Sequence, residues 1–268
     1  MFRDRFKQSR VLIGVVHVGA LPGTARANEP VAVLTRHAAD EARIYEDAGF
    51  DAVIIENMHD RPYLKGGAGP EITSAMTAIG CEIRRHTQLA LGVQVLAGAN
   101  REAMAVAHAC GGDFVRVEGY VFAHVADEGV IESSAGELLR YRRAIGAESV
   151  LVFADIKKKH SAHAITADVS LVETAHAAEF FLADGVIVSG AATGIEASPQ
   201  DVRVVAEAVG VPVLVGSGMT PANVARFVDA HGFIVGSAMK HGGRWDNPLD
   251  RHAAEAMARA VAALGQPS

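Results

Sequence analysis

Six short apolar stretches of the chain end in polar residues that follow one alternation. Ile13 and Val15 lead to His17, Ile54 to Glu56, Gly92 to Gln94, Arg116 to Glu118, Leu151 and Phe153 to Asp155 and Lys157, and Ile187 to Ser189. In an extended strand alternate side chains share a face, so each stretch presents its polar group at its C-terminal end on that face. Carboxylates, a guanidinium, an ammonium and an imidazole in one ring supply acids and bases whose proton affinities burial and neighbours can push apart. The expected catalytic set is Glu56, Arg116, Glu118, Asp155, Lys157 and His17, with Gln94 and Ser189 contacting substrate. A competing reading makes Arg116, with Glu118 or Asp155, an ion-pair network that closes a core. Lys157 admits three roles: a Schiff base, a phosphate contact or a salt bridge.

A second kind of chemistry is suggested by "VPVLVGSGMTPANVARFV", residues 211–228. Gly216, Ser217 and Gly218 let backbone N–H groups approach a ligand. Thr220 can cap a helix that has Pro221 at its first position, and a helix N-terminus favours an anion. The next apolar run, Phe233 to Val235, also ends in Gly-Ser, at Gly236 and Ser237. Two successive strands ending this way predict one phosphate site built from both loops. A third small-residue loop, "SGAATG" at 189–194, could complete it or be a plain turn.

The elements that must hold these groups alternate regularly. Apolar runs at 11–16, 52–56, 89–95, 114–118, 150–156, 185–189, 211–215 and 233–235 read as eight strands. Alanine-rich segments around 32–48, 72–86, 101–110, 134–145, 168–182, 199–209, 221–230 and 249–263 have helical spacing. Such alternation implies a parallel sheet. Gly49, Gly111, Gly146, Gly210 and Gly232 stop helices just before strands, and "SPQD" at 198–201 supplies a Ser cap followed by Pro. The strand-to-helix connections are the long ones, which puts loop mass on the face where (β/α)8 enzymes do chemistry. The expected fold is therefore α/β, a single (β/α)8 TIM barrel over residues 1–268, with the phosphate-type site at the ends of strands seven and eight.

Composition narrows the partners. A chain of 268 residues, half of them hydrophobic, can bury one large core, and a formal charge of −6 offers no basic field for nucleic acid. No stretch reaches the roughly 18 to 20 apolar residues of a membrane span. The basic, apolar start "MFRDRFKQSRVLIGVVHVGALPG" imitates a signal peptide but is better used as a first strand. Cys81 and Cys110 lack metal or redox spacing, which fits free thiols in a reducing compartment and a cytoplasmic location. No cofactor is expected. A divalent metal stays open, because His17, His59, His124, His160, His163 and His241 fall in or beside the long loops, although neither HxH nor HExxH occurs.

"GVVHVGALPGT", "IIENMHDRPY", "DFVRVEGYVFAHVADEG", "FADIKKKHSAHAIT", "DGVIVSGAATG" and "VLVGSGMTPANV", in this order, resemble the BtpA/SgcQ family over nearly the whole chain. The resemblance implies a (β/α)8 barrel with a phosphate-type site. One branch of the family is named for photosystem I biogenesis, and another is associated with sugar-phosphate metabolism. It points to His17, Glu56, Asn57, Arg116, Asp127, Asp155, Lys157, His160, Thr193, Gly216, Ser217 and Gly218, adding Asn57, Asp127, His160 and Thr193 as substrate contacts. The expectation is an enzyme acting on a phosphorylated small molecule, a sugar phosphate, by acid/base isomerisation or carbon–carbon lyase chemistry. The rivals are a non-catalytic binding or assembly factor and a metal-assisted hydrolase of a phosphorylated or glycosidic substrate. A homo-oligomer is compatible with any of them.

Overall fold

The computed structural model describes Phe2, Phe6 and residues 10–158, 160–190 and 196–264. In chain order the elements are β1 (Val11–His17), α1 (Val31–Ala48), β2 (Ala52–Glu56), α2 (Pro70–His86), β3 (Ala90–Gln94), α3 (Asn100–Cys110), β4 (Phe114–Val117), β5 (His124–Ala126), β6 (Gly129–Ile131) and α4 (Ala135–Ala144). There follow β7 (Leu151–Ile156), β8 (Ser161–Ala162), α5 (Leu171–Phe180), β9 (Gly185–Val188), α6 (Pro199–Ala208), β10 (Val213–Val215), β11 (Gly232–Val235) and α7 (Arg251–Ala262). Strands β1, β2, β3, β4, β7, β9, β10 and β11 form a closed parallel barrel in this order, with β11 returning to β1. These are the eight strands expected from the apolar runs.

Both faces of each strand are buried, which explains why the runs are nearly continuously apolar. Val11, Ile13, Val15, Ile54, Phe114, Leu151, Phe153, Ile187, Leu214 and Ile234 fill the barrel interior. The opposite parity, including Leu12, Val16, Val53, Ile55 and Leu91, packs outward against the helices. Phe2 and Phe6 join the interior, with ring centroids 5.9 Å from Phe153 and 6.2 Å from Phe114 respectively. Gly92 makes room for this layer, since a Cβ there would lie 2.2 Å from the Phe114 ring.

Helix ends follow local chemistry. The Ser170 hydroxyl accepts from Glu173 N while the Glu173 carboxylate accepts from Ser170 N, a reciprocal cap that starts α5. Ser198 accepts from Asp201 N at the start of α6, with Pro199 in the first turn. Gly49 closes α1 in the left-handed region at φ 92°.

The helix expected over 221–230 is replaced by a single 3₁₀ turn, Val224–Arg226. Asn223 explains the difference: its Oδ1 accepts from Thr220 N at 2.8 Å, and its Nδ2 donates to Gly218 O at 2.9 Å and to Glu196 at 2.7 Å. These bonds hold the segment as a turn, so no extended helix dipole points at the Gly-Ser-Gly loop. The loops after β4 and β7 also carry unexpected structure, a small antiparallel sheet in the order β6-β5-β8. Among the described residues no helix is long and apolar enough to cross a membrane. Cys81 and Cys110 are free thiols, and burial pushes the Cys110 thiol up to about 11.

Candidate functional site

Strand register brings the polar strand ends level. His17 pairs with Glu56 and Glu56 with Gln94 across β1, β2 and β3. Together with Arg116 and Glu118 they line a cavity of about 540 Å³. The Gly216–Thr220 and Gly236–Ala238 segments form another part of its wall, and Asp127, Glu128, Lys158, His160, Arg61, Tyr63 and Trp245 contribute from the loops.

Arg116 is 4% exposed and occupies the floor. Its Nε and Nη2 donate to the two oxygens of Asp155 at 2.7 and 3.1 Å, and its Nη1 donates to Glu56 Oε1 at 3.4 Å. Burial works against its charge, but the Asp155 and Glu56 carboxylates outweigh it and raise the guanidinium above its ordinary range. Gly216 allows this packing. A Cβ there would meet Ile187 Cγ2 at 2.5 Å, Ser189 Oγ at 2.7 Å and Arg116 Nη2 at 3.2 Å.

Glu118 is 5% exposed. Its Oε1 accepts from Gln94 Nε2 at 3.0 Å, and the Lys158 ammonium lies 3.1 Å from Oε2 as an ion pair. Burial is the main reason its carboxyl titrates above the ordinary range. Asp155 adds to the shift and Lys158 opposes it. A carboxyl so placed can give or take a proton closer to neutral pH.

Several expected residues are placed differently. Asp155 lies behind Arg116, held by both guanidinium bonds and by the Ser189 hydroxyl, which donates at 3.2 Å. Neither Asp155 nor Ser189 lines the cavity, so Asp155 is built to orient Arg116. Lys157 also turns away: its backbone is left-handed at φ 48°, its Nζ donates to Thr166 O at 2.9 Å, and it borders a separate, water-sized pocket. The turn breaks the strand alternation, and the neighbouring Lys158 reaches the cavity instead. Asn57 is structural, since Oδ1 accepts from Leu96 N at 2.7 Å and Nδ2 donates to Asp60 at 2.9 Å. Thr193 lies outside the described residues.

The Gly-Ser loops are in the expected place with one change of role. The Gly216 N–H donates to Val188 O at 2.8 Å, so it completes the barrel and is not a phosphate donor. Gly190 N donates to the Ser217 hydroxyl at 2.9 Å, tying the loop after β9 to that after β10. The N–H groups of Gly218, Gly236 and Ser237 have no acceptor among the described residues and face the same cavity wall. His17 stands over this wall. A Cβ at Gly236 would lie 3.2 Å from His17 Nε2, and His17 Nδ1 meets Trp245 O at 3.0 Å.

Trp245, Arg61, Tyr63 and Glu128 were not expected at the site. Trp245 packs on His59 with centroids 4.7 Å apart, and the Arg61 guanidinium sits 4.7 Å from the same ring. They lie on loops outside the strand alternation. A lone tryptophan in the segment after the second Gly-Ser was the signal available. Among the described residues no three His, Cys, Asp or Glu side chains converge in a group that could hold a metal.

The fold has solved counterparts at low identity. Thiamine phosphate pyrophosphorylase from Pyrococcus furiosus matches with a TM-score of 0.61 at 15% identity, covering 99% of this chain and 100% of that one. (S)-3-O-geranylgeranylglyceryl phosphate synthase from Thermoplasma acidophilum, in complex with sn-glycerol-1-phosphate, matches with a TM-score of 0.61 at 16% identity, covering 97% and 98%. Relatives by sequence are nearer. An uncharacterised mitochondrial protein of Caenorhabditis elegans is 50% identical over 248 residues, 90% of each chain. The photosystem I biogenesis protein BtpA of Synechocystis is 34% identical over 259 residues, covering 96% of this chain and 90% of its own. The BtpA family model matches residues 8–263. With the barrel and the sequence motifs in agreement over that length, the chain belongs to the BtpA family.

Proposed function

We propose that the protein is an enzyme that binds a small phosphorylated metabolite, a sugar phosphate being the simplest case, and transforms it by acid/base isomerisation or carbon–carbon lyase chemistry. One observation carries the reading: N–H groups without an acceptor among the described residues, after two successive barrel strands, share a cavity with a buried carboxyl whose titration burial raises. Solved barrels of the same fold include proteins named for phosphorylated compounds, a thiamine phosphate pyrophosphorylase and two phosphoribosylanthranilate isomerases among them.

In this reading Gly218, Gly236 and Ser237 hold the phosphate, and that binding energy places the reacting carbon over the floor. Glu118 takes the proton from the carbon next to a carbonyl, and the C–H electron pair moves to form an enolate. Arg116 retains two N–H donors beyond its three carboxylate bonds, and these stabilise the enolate oxygen. His17 or Lys158 supplies the compensating proton.

Thermal unfolding in the presence of paired phosphoesters and their dephosphorylated forms tests it. A ligand at about 100 times its Kd adds roughly 2.7 kcal/mol, several degrees for this chain length. Stabilisation by phosphorylated members alone, lost in Ser237→Asp, is expected. Folded protein indifferent to every phosphoester contradicts the reading.

A binding or assembly role draws on a surface absent from the sequence reading. Phe180, Phe181 and Leu182 are 82%, 44% and 71% exposed side by side at the C-terminal end of α5, and the Synechocystis relative is named for photosystem I biogenesis. Co-purification of a stable protein partner that Phe180→Ser abolishes supports that role.

A further inference from the structure

The cavity wall around Glu118 holds acceptors that have no hydrogen-bond donor among the described residues. Gln94 is 3% exposed, and its amide nitrogen is committed to the Glu118 carboxylate. Against the ionised carboxylate, which only accepts, this bond orients the amide and leaves Gln94 Oε1 as the atom turned from Glu118. That oxygen is buried with no hydrogen-bond partner among the described residues. Glu128 Oε2, on the β5–β6 turn, lines the same cavity and is in the same condition. Glu118 Oε2, beside them, has the Lys158 ammonium at 3.1 Å. Buried acceptors left without donors are destabilising, more so when charged.

The shared chemistry of these atoms is one-sided, for all three are acceptors. A hydroxyl brings one donor and two further lone pairs in need of partners. A protonated primary amine brings three N–H groups and no lone pair, so its donors match in kind the buried acceptors of Gln94 and Glu128. Charge agrees: Glu118, Asp127 and Glu128 line the cavity against Lys158 and Arg61, while Arg116 is already offset by Asp155 and Glu56. Burial of the oxygens away from water is what makes the match selective.

We infer that the metabolite held by its phosphate at Gly218, Gly236 and Ser237 carries a protonated amine at its other end, received by Gln94 Oε1 and Glu128 Oε2. This rests on the phosphate reading above and names the class of substrate: an amino-substituted phosphoester. The apolar wall of Met58, Leu96, Met219 and Trp245 covers the carbon chain between the two ends.

Calorimetric titration of the full chain separates the two claims. Inorganic phosphate is titrated first, followed by ω-aminoalkyl phosphates of graded length and by hydroxyl-ended and methyl-ended phosphates of the same lengths. At one length the amine is expected to bind at least tenfold more tightly than its hydroxyl counterpart, and Glu128→Gln is expected to cut that preference severalfold. Because Gln keeps the size of Glu, loss of fold is readily excluded by its unfolding curve. Equal affinity of amine and hydroxyl at every length, with inorganic phosphate still bound, overturns this inference and leaves the phosphate reading intact. Failure of the protein to bind inorganic phosphate or any phosphoester overturns both.

Discussion

A buried guanidinium costs several kcal/mol unless carboxylates face it, and breaking such a pair by removing one partner strands the other charge. Arg116 faces Asp155 and Glu56, with side-chain exposures of 5%, 1% and 9%. Arg116→Met is therefore expected to destabilise the fold by about 3–5 kcal/mol in chemical denaturation. Adding Asp155→Asn should recover part of the loss, because the two sites are coupled. A loss below about 1 kcal/mol for Arg116→Met would mean that water reaches the carboxylates. Glu118 makes a prediction in pH. Its folded carboxyl holds a proton more tightly than the unfolded one, so its contribution to stability is fully present below the unfolded value, near 4.3, and declines as pH rises through the raised folded value. Glu118→Gln, neutral throughout, should remove that decline; parallel stability-versus-pH curves for the two proteins would contradict the burial argument. Strand parity read from the sequence located Glu56, Gln94, Arg116 and Glu118 at the mouth, since alternation is a local property. It misassigned Lys157 because a left-handed residue ends the alternation one position before Lys158.

At the level of strands and helices, close approach decides what the barrel tolerates. Gly216→Ala places a methyl 2.5 Å from Ile187 Cγ2 and 2.7 Å from Ser189 Oγ. Overpacking of this kind costs about 1–3 kcal/mol, and the adjacent Arg116 must shift, so phosphoester binding should weaken along with stability. Unchanged binding and unchanged stability would contradict the packing. Ser170→Ala removes one side of the reciprocal cap at α5 and should cost about 1 kcal/mol, read from denaturant midpoints. Helices were legible from apolar spacing, as at α5 and α7, and from spacing together with a Ser-Pro cap at α6. The segment after β10 misled because Thr220-Pro221 resembles a helix start, while Asn223 engages Thr220 N, Gly218 O and Glu196 and stops it after one turn. The β5–β6 hairpin was missed because its strands are only three residues each and turn pairing carries little periodicity.

For the molecule as a whole, the phenylalanines of the amino-terminal segment and the candidate site lie at opposite ends of the barrel interior. Phe6 is 4% exposed and seals the interior from the side away from the cavity. Phe6→Ala should cost about 3–5 kcal/mol and leave affinity for inorganic phosphate unaltered; a matching fall in affinity would show that the two ends are coupled. The closed barrel was readable from eight apolar runs and asymmetric connections, because both are global counts that tolerate errors at single boundaries. Which loop side chains meet over the mouth was not, since Trp245, Arg61 and Glu128 arrive from separate connections whose shape periodicity does not encode.

A crystal structure of the protein soaked in inorganic phosphate at several times its measured Kd tests the central claim most directly. The account predicts a phosphate between the loops after β10 and β11, accepting hydrogen bonds from the N–H groups of Gly218, Gly236 and Ser237. A phosphate seated elsewhere, with these donors left to water, would contradict it.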